Sequence, residues 1–204
     1  QPLNEVNLAL ATTTFKKESY IEANIASIKK DILGSDDDIA THFHMHVIDN
    51  GRTLDCLKLN SDRVAVYPND NVGGAGGFAR GMIQAMEQEV PATHVLLMDD
   101  DVEVSPESIK RTYNLLRIAN EEYRDAFVSG AMLDYQIVED QWEDTAAFLD
   151  ACCQSIKPRL RLTEIADLVF NEDSVPTERQ LSRRYAAWWY CCIPVAAIKK
   201  NGLP

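Results

Sequence analysis

At 204 residues, with 46% apolar and 25% charged side chains, the chain has the composition of a folded protein able to bury a sizeable core, which excludes disorder over its whole length. Its net charge of −12 excludes nucleic acid as a partner, because neutralising phosphates takes clustered Lys and Arg that this sequence does not offer, so an anionic ligand would need a local cation. No apolar run reaches the roughly 18 residues needed to cross a bilayer, and no signal-peptide layout opens the chain.

The domain therefore reads as cytoplasmic, with peripheral attachment to the inner face of a membrane left to parts outside these residues. Oligomeric state has no signature here. Five cysteines, including the vicinal pairs Cys152–Cys153 and Cys191–Cys192, fit neither a disulfide framework nor a CxxC zinc pattern. They are expected as small buried apolar residues.

In chain order, Val6 to Ala11 is an apolar run suited to a buried parallel strand that opens into a loop at Thr12-Thr13-Thr14. A helix follows: Ser19 and Glu22 have capping-box spacing, and Ile21, Ile25, Ile28 and Ile32 paint one apolar stripe. His42 to Ile48 is a second strand closed by the turn Asp49-Asn50-Gly51, and Val64 to Tyr67 a third. Pro68 to Gly77 reads as a Gly- and Asn-rich loop leading into a helix over Phe78 to Gln88. A fourth strand, His94 to Met98, runs into Asp99-Asp100-Asp101, and Ser105 caps a helix with Pro106 at its first position. Beyond Val128 the pattern loosens: 128–137 could be another strand, Asn171 to Arg184 is polar and expected as a loop, and Ala186 to Val195 is strand-like.

Strands alternating with helices predict one α/β domain over residues 1–204, with a mostly parallel central sheet flanked by helices and its ligand site at the carboxyl ends of the strands. The unusual residues cluster at those ends. Asp99 and Asp101, two apart, can face a common point and suit Mg2+ or Mn2+, although a solvated acidic turn remains the plain alternative. The loop from Asn69 to Gly81 lets backbone approach a ligand and delivers a helix N-terminus, where anions are favoured. Gly74, Gly76 and Ala79 satisfy a loose dinucleotide pattern, but six residues after a third strand is the wrong place for it. His42, His44 and His46 share one strand face and read as its polar side, opposite Phe43, Met45 and Val47, rather than as a zinc site. Trp188 and Trp189 could equally be a sugar-stacking platform or core.

Taken in order, Thr14-Phe15-Lys16-Lys17-Glu18, Val47-Ile48-Asp49-Asn50-Gly51, the loop from Asn69 through Asn71, Gly73-Gly74-Ala75-Gly76-Gly77 and Arg80-Gly81, then Leu97-Met98-Asp99-Asp100-Asp101, Gly130-Ala131-Met132 and Trp188-Trp189, the sequence resembles family-2 glycosyltransferases, on their galactofuranosyltransferase and rhamnosyltransferase-like branch. The resemblance implies a GT-A (Rossmann-like) fold, a nucleoside-diphosphate-sugar donor with UDP-galactofuranose the best guess, and a glycan or glycolipid acceptor in cell-surface polysaccharide synthesis. It implies Mn2+ or Mg2+ held by Asp99 and Asp101, with Thr14, Phe15, Lys17, Asp49, Asn71, Gly74, Gly76, Arg80 and Asp100 around the donor and Trp188 and Trp189 toward the sugar. Lys17 stands where that family commonly has Arg, which keeps the charge but loses the bidentate fork. The family's general base is expected beyond Pro204, so a polypeptide ending there is expected to bind donor and to transfer it weakly or not at all. A sugar-phosphate nucleotidyltransferase and a non-catalytic sugar-nucleotide-binding module are the alternatives.

Overall fold

The computed structural model describes residues 2–157, 159–173 and 184–204. They gather into two compact units, residues 1–128 with 192–204, and residues 129–191. The first unit holds β1 (Leu8–Thr14), α1 (Glu18–Ile28), β2 (Phe43–Asp49), α2 (Cys56–Leu59), β3 (Val64–Pro68), α3 (Gly73–Glu87), β4 (His94–Met98) and α4 (Pro106–Ile118). The chain passes between the units at β5 (Val128–Ser129) and β12 (Cys191–Pro194), and closes with α6 (Val195–Asn201). The α/β class and the mostly parallel sheet expected from the sequence are what is found: the strands run in the order β3-β2-β1-β4-β12-β5, and β3, β2, β1 and β4 are mutually parallel.

Burial explains the strands. β1 pairs on both sides, with Leu8 opposite Phe43 on β2 and His94 on β4, and its Leu8, Ala9, Leu10 and Ala11 are fully buried. Parallel strands covered on both faces read as continuous apolar runs. The three threonines continue the strand instead of opening a loop, pairing with Val47, Ile48 and Asp49, because β-branched side chains fit the pleated surface. The same double cover corrects the reading of the histidines. His46 is buried, not on a polar outer side; its Nδ1 meets the Tyr67 hydroxyl at 3.2 Å and its Nε2 the Gln88 Oε1 at 2.8 Å.

Helix α1 buries Ile21, Ile25 and Ile28, and the π-helical turn Lys29–Leu33 carries Ile32 into the same core. Ser19 does not cap it. The N-cap is Lys17, one residue before Glu18, and Glu22 instead pairs with Lys58 at 3.2 Å.

Helix α3 begins at Gly73, five residues before the sequence pattern suggests, so the glycines form its first turns. The reason is close packing on the sheet. A Cβ on Gly77 would lie 2.0 Å from Thr13 Oγ1, and one on Gly81 2.8 Å from Ala11 Cβ. Helical spacing of four puts both on the face that presses onto β1. Gly74 looks into open space.

The second unit has two small antiparallel sheets, β10-β7-β6 and β11-β8-β9, from β6 (Met132–Leu133), β7 (Asp140–Glu143), β8 (Ala146–Leu149), β9 (Cys152–Ser155), β10 (Leu160–Arg161) and β11 (Arg184–Tyr185), together with α5 (Ile165–Asp173). Residues 128–137 thus supply two two-residue strands rather than one. Of the polar stretch from Asn171 to Arg184, the ends finish α5 and start β11, and positions 174–183 lie outside the described residues. Trp188 and Trp189 sit in a turn and are half-buried, not in a strand. All five cysteines are free; Cys191 and Cys192 are buried as expected, whereas Cys152 and Cys153 on β9 are exposed. No helix among the described residues is long and apolar enough to cross a membrane.

Gly77→Ala is expected to destabilise the fold by about 1–3 kcal/mol through overpacking against Thr13, whereas Gly74→Ala, with room for its methyl, is expected to stabilise by up to about 1 kcal/mol through helix propensity; thermal melts of the two variants separate the roles. A second expectation concerns pH. Burial holds the imidazoles of His44, His46 and His94 below their ordinary range. Neutral histidines are therefore favoured by folding. Their contribution is complete above the unfolded-state pKa of about 6.5 and is lost as pH falls through the folded value. Urea midpoints should drop between about pH 7.5 and about pH 5.5, and less so in His46→Gln.

Candidate functional site

Strand order reverses direction at β1: β2 and β3 are laid down on one side of it and β4 on the other. Loops leaving adjacent strands diverge at such a point and open a crevice at the carboxyl ends. Here those ends are Thr14 on β1 and Met98 on β4, followed by Phe15-Lys16-Lys17 and Asp99-Asp100-Asp101.

The two segments are joined across the crevice. The Phe15 N–H donates to Asp100 Oδ2 at 3.3 Å, and Lys17 Nζ lies 3.3 Å from Asp101 Oδ2. β4 ends at Met98, and Asp100 and Asp101 lie in a turn, so strand alternation does not itself aim Asp99 and Asp101 together. Charge does link them. Burial lifts the Asp99 carboxyl above the ordinary carboxylate range, and the negative charges of Asp101 and then Asp100 lift it further. The ion pair with Asp101 correspondingly raises the Lys17 ammonium. The segment beyond the triplet is held from below: Asn24 on α1, itself buried, donates to the Val102 carbonyl at 2.7 Å and accepts from the Val104 N–H at 3.4 Å. Among the described residues no three His, Cys, Asp or Glu side chains gather as a metal cluster. The donor set nevertheless suits a hard cation, being all carboxylate and carrying an acid whose charge burial and its neighbours disfavour.

At the ends of β2 and β3 the expected contacts rearrange. Asp49 is fully buried, with Oδ1 accepting the Gly51 N–H at 3.0 Å and Oδ2 the Leu54 N–H at 2.8 Å. Its carboxylate thus builds the turn after β2. Thr14 is buried and its hydroxyl has no hydrogen-bond partner among the described residues, while Phe15 is exposed. Asn71 is exposed and accepts the Gly73 N–H at 3.2 Å. The N-cap residue Val72 offers α3 no side-chain cap, and the Gly73 N–H is the one that Asn71 takes up. Arg80 is turned to the loop. It donates to the Pro68 carbonyl at 3.1 Å and to Asn69 Oδ1, with its guanidinium 5.9 Å from the Tyr67 ring centroid. Gly76 packs against Val72, where an added Cβ would come within 2.6 Å of Cγ2.

Two residues that the sequence offers only as loop composition are central here. Asn50 and Asn69 are both buried and bonded to each other, Asn69 Nδ2 donating to Asn50 Oδ1 at 2.8 Å. Arg52 was likewise not singled out by the sequence; its Nε donates to the Asn69 carbonyl at 3.1 Å and its guanidinium pairs with Asp70. In the second unit, Trp189 Nε1 donates to the Gly130 carbonyl at 2.9 Å, and Gly130 packs so closely on Tyr190 that a Cβ would lie 2.6 Å from its ring.

The first unit is thus an α/β nucleotide-fold domain whose crevice carries carboxylates on one side and an open helix start on the other. It belongs to glycosyl transferase family 2, whose model matches residues 10–184. Among curated proteins the chain is 28% identical over 152 residues to the galactofuranosyltransferase GlfT2 of Mycolicibacterium smegmatis (strain ATCC 700084 / mc(2)155), covering 70% of this chain and 22% of that protein. It is 26% identical over 147 residues to GlfT2 of Mycobacterium tuberculosis (strain ATCC 25618 / H37Rv), with the same coverage of 70% and 22%. The chain therefore spans about a fifth of the length of these relatives (22%). Among solved structures, the mannosyltransferase PcManGT from Pyrobaculum calidifontis, in complex with GDP-Man and Mn2+, matches with a TM-score of 0.45 and 13% identity over 64% of this chain and 36% of that one.

Asp49→Asn places an amide N–H against the backbone N–H of Gly51 or Leu54. It is expected to cost about 1–3 kcal/mol in stability, read as a fall in the urea midpoint, while Asn71→Ala, which gives up one exposed bond to the Gly73 N–H, should cost less, about 0.5–1 kcal/mol.

Proposed function

We propose that the first unit is the donor-binding core of an inverting glycosyltransferase that uses a nucleoside-diphosphate sugar, with UDP-galactofuranose the favoured donor and a glycan or glycolipid the acceptor. The observation that carries this reading is the acidic triplet at the point where the strand order reverses. Burial and two neighbouring carboxylates push Asp99 toward its neutral form, and among the described residues Lys17 is the cation that pairs with the triplet. Asp99 and Asp100 are half-buried and Asp101 is exposed, and Lys17 answers one of the three charges, which leaves a place for a further cation.

In this reading Asp99 and Asp101 hold Mn2+ or Mg2+, which offsets the charge of the departing diphosphate. Lys17 supplies a second positive charge from the β1–α1 loop. The N–H groups at the start of α3, near Gly74 and Gly76, receive phosphate oxygens, and the open space beside Gly74 admits them. Phe15 offers its exposed ring and Asn71 its exposed amide to the nucleoside, with Thr14 and Asp49 shaping the floor beneath. Arg80 acts on the donor through the Asn69 loop, and Asp100 acts by fixing the Phe15 backbone. The acceptor hydroxyl attacks the anomeric carbon from the face opposite the nucleotide as the bond from that carbon to the nucleoside diphosphate breaks, which inverts its configuration, and its proton passes to a general base that is assigned to none of the residues described. Trp188 and Trp189, half-buried in the second unit, are the surfaces we assign to sugar stacking. The support for galactofuranose in particular is the likeness to the two GlfT2 proteins.

A thermal-shift screen of UDP, GDP and their sugars with and without manganese tests this reading. Ligands that bind the native state raise its melting temperature by mass action, by RT ln(1 + [L]/Kd) in free energy. UDP is expected to shift the melt more with manganese than without, and Asp99→Asn or Asp101→Asn should remove the manganese-dependent part. A nucleoside triphosphate turned over with release of pyrophosphate would instead favour a nucleotidyltransferase. No shift with any nucleotide would refute the donor reading.

A further inference from the structure

We propose that Asn69 is a positioning residue that, through Asn50, fixes the start of α3 against the donor; this rests on the donor reading above. Asn69 is buried and uses every hydrogen-bonding group it has. Its N–H donates to the Asp49 carbonyl at 2.9 Å, its carbonyl accepts from Arg52 Nε at 3.1 Å, its Oδ1 accepts from Arg80, and its Nδ2 donates to Asn50 Oδ1 at 2.8 Å. Asn50 carries the chain onward: its Nδ2 donates to the carbonyl of Gly73, the first residue of α3, at 3.1 Å, and its N–H donates to the Thr14 carbonyl at 2.9 Å.

The polarity of this relay is dictated by its ends. A guanidinium can only donate and a carbonyl can only accept. Facing Arg80, Asn69 must therefore present its oxygen, which leaves its NH2 toward Asn50. Asn50 must then accept with its oxygen and spend its NH2 on Gly73. Each member of the link must accept from one neighbour and donate to the next, which an amide does and an ionised aspartate at either place cannot. Between them the two residues, through backbone and side chain, tie together the carboxyl ends of β1, β2 and β3, the Arg80 side of α3 and the first helical residue. Packing allows no slack, since a Cβ on Gly77 would come within 3.2 Å of Asn50 Nδ2. The sequence supplies the pieces as Asp49-Asn50 and Pro68-Asn69, the first residues beyond two adjacent parallel strands whose last pair is Asp49 and Pro68.

Two variants separate this role from generic support. Asn69→Ala removes both side-chain bonds. Asn69→Asp keeps an acceptor for Arg80 and loses only the donor to Asn50. Amide hydrogen exchange on the full chain is expected to show reduced protection of Gly77 and Phe78, in the first turns of α3, in both variants by about fivefold, the equivalent of one net hydrogen bond. Ala85 and Met86 near the other end should be unchanged. In parallel, UDP and GDP affinity with manganese, measured by calorimetry well below the melting temperature, should weaken by about fivefold in both. Asn69→Asp behaving as wild type in exchange overturns the relay, as does equal loss of protection along the whole helix, which marks generic destabilisation. Selective loss of protection together with unchanged nucleotide affinity overturns the positioning role. If the wild-type chain binds neither nucleotide while the selective exchange effect is present, the donor reading fails and the relay survives only as architecture.

Discussion

Three consecutive carboxylates stand where the strand order of a parallel sheet turns back on itself, and the local balance of charge there governs the rest of the site. In water such a turn would cost little. Half-buried at the end of β4, it raises the pKa of its own first member and draws Lys17 from the opposite loop. An exposed ion pair of this sort is worth at most about 1 kcal/mol and answers one acid of three. In the proposed reading the remaining demand for positive charge would be met by a cation and, with it, an anionic ligand, in a chain of net charge −12.

The sheet supplies this arrangement with rigidity at low cost in side-chain volume. Ala11 and Thr13 on β1 meet Gly81 and Gly77 on α3, so helix and strand approach more closely than side chains of ordinary size would allow. That approach brings the start of α3 level with the ends of β1 and β2, where Asn50 can reach the Gly73 carbonyl. The place of the helix start thus follows from this packing, and that of the carboxylates from where β4 ends.

Much of the fold was legible because periodicity and burial coincide: β4 and the start of α4 fall where the sequence places them, and the isoleucine stripe of α1 is buried. The departures share a physical origin in tertiary contact. Thr12-Thr13-Thr14 looks like a loop until paired strands flank it, and the glycine run from Gly73 looks like a flexible turn until packing against Thr13 leaves no room for a side chain at Gly77. His46 reads as polar surface because a strand's two faces are indistinguishable in sequence when both are covered. At the site, residue types were legible, but the hydrogen-bond partners they find within the chain were not. Asp49 and Arg80 spend their charge on the protein's own turns, whereas Asn50 and Asn69, ordinary loop residues by composition, carry the connection. Hydrogen-bond polarity becomes readable only once neighbours are known.

The central claim is that Asp99 and Asp101 share a divalent cation beside the α3 start. Anomalous diffraction from crystals of the chain grown with UDP and manganese tests it most directly. The account requires a peak about 2.1 Å from a carboxylate oxygen of each of those residues, with diphosphate oxygens completing the shell. A bound diphosphate with no anomalous peak at the triplet, or a manganese ion held elsewhere while Lys17 keeps its pairing with Asp101, would contradict it.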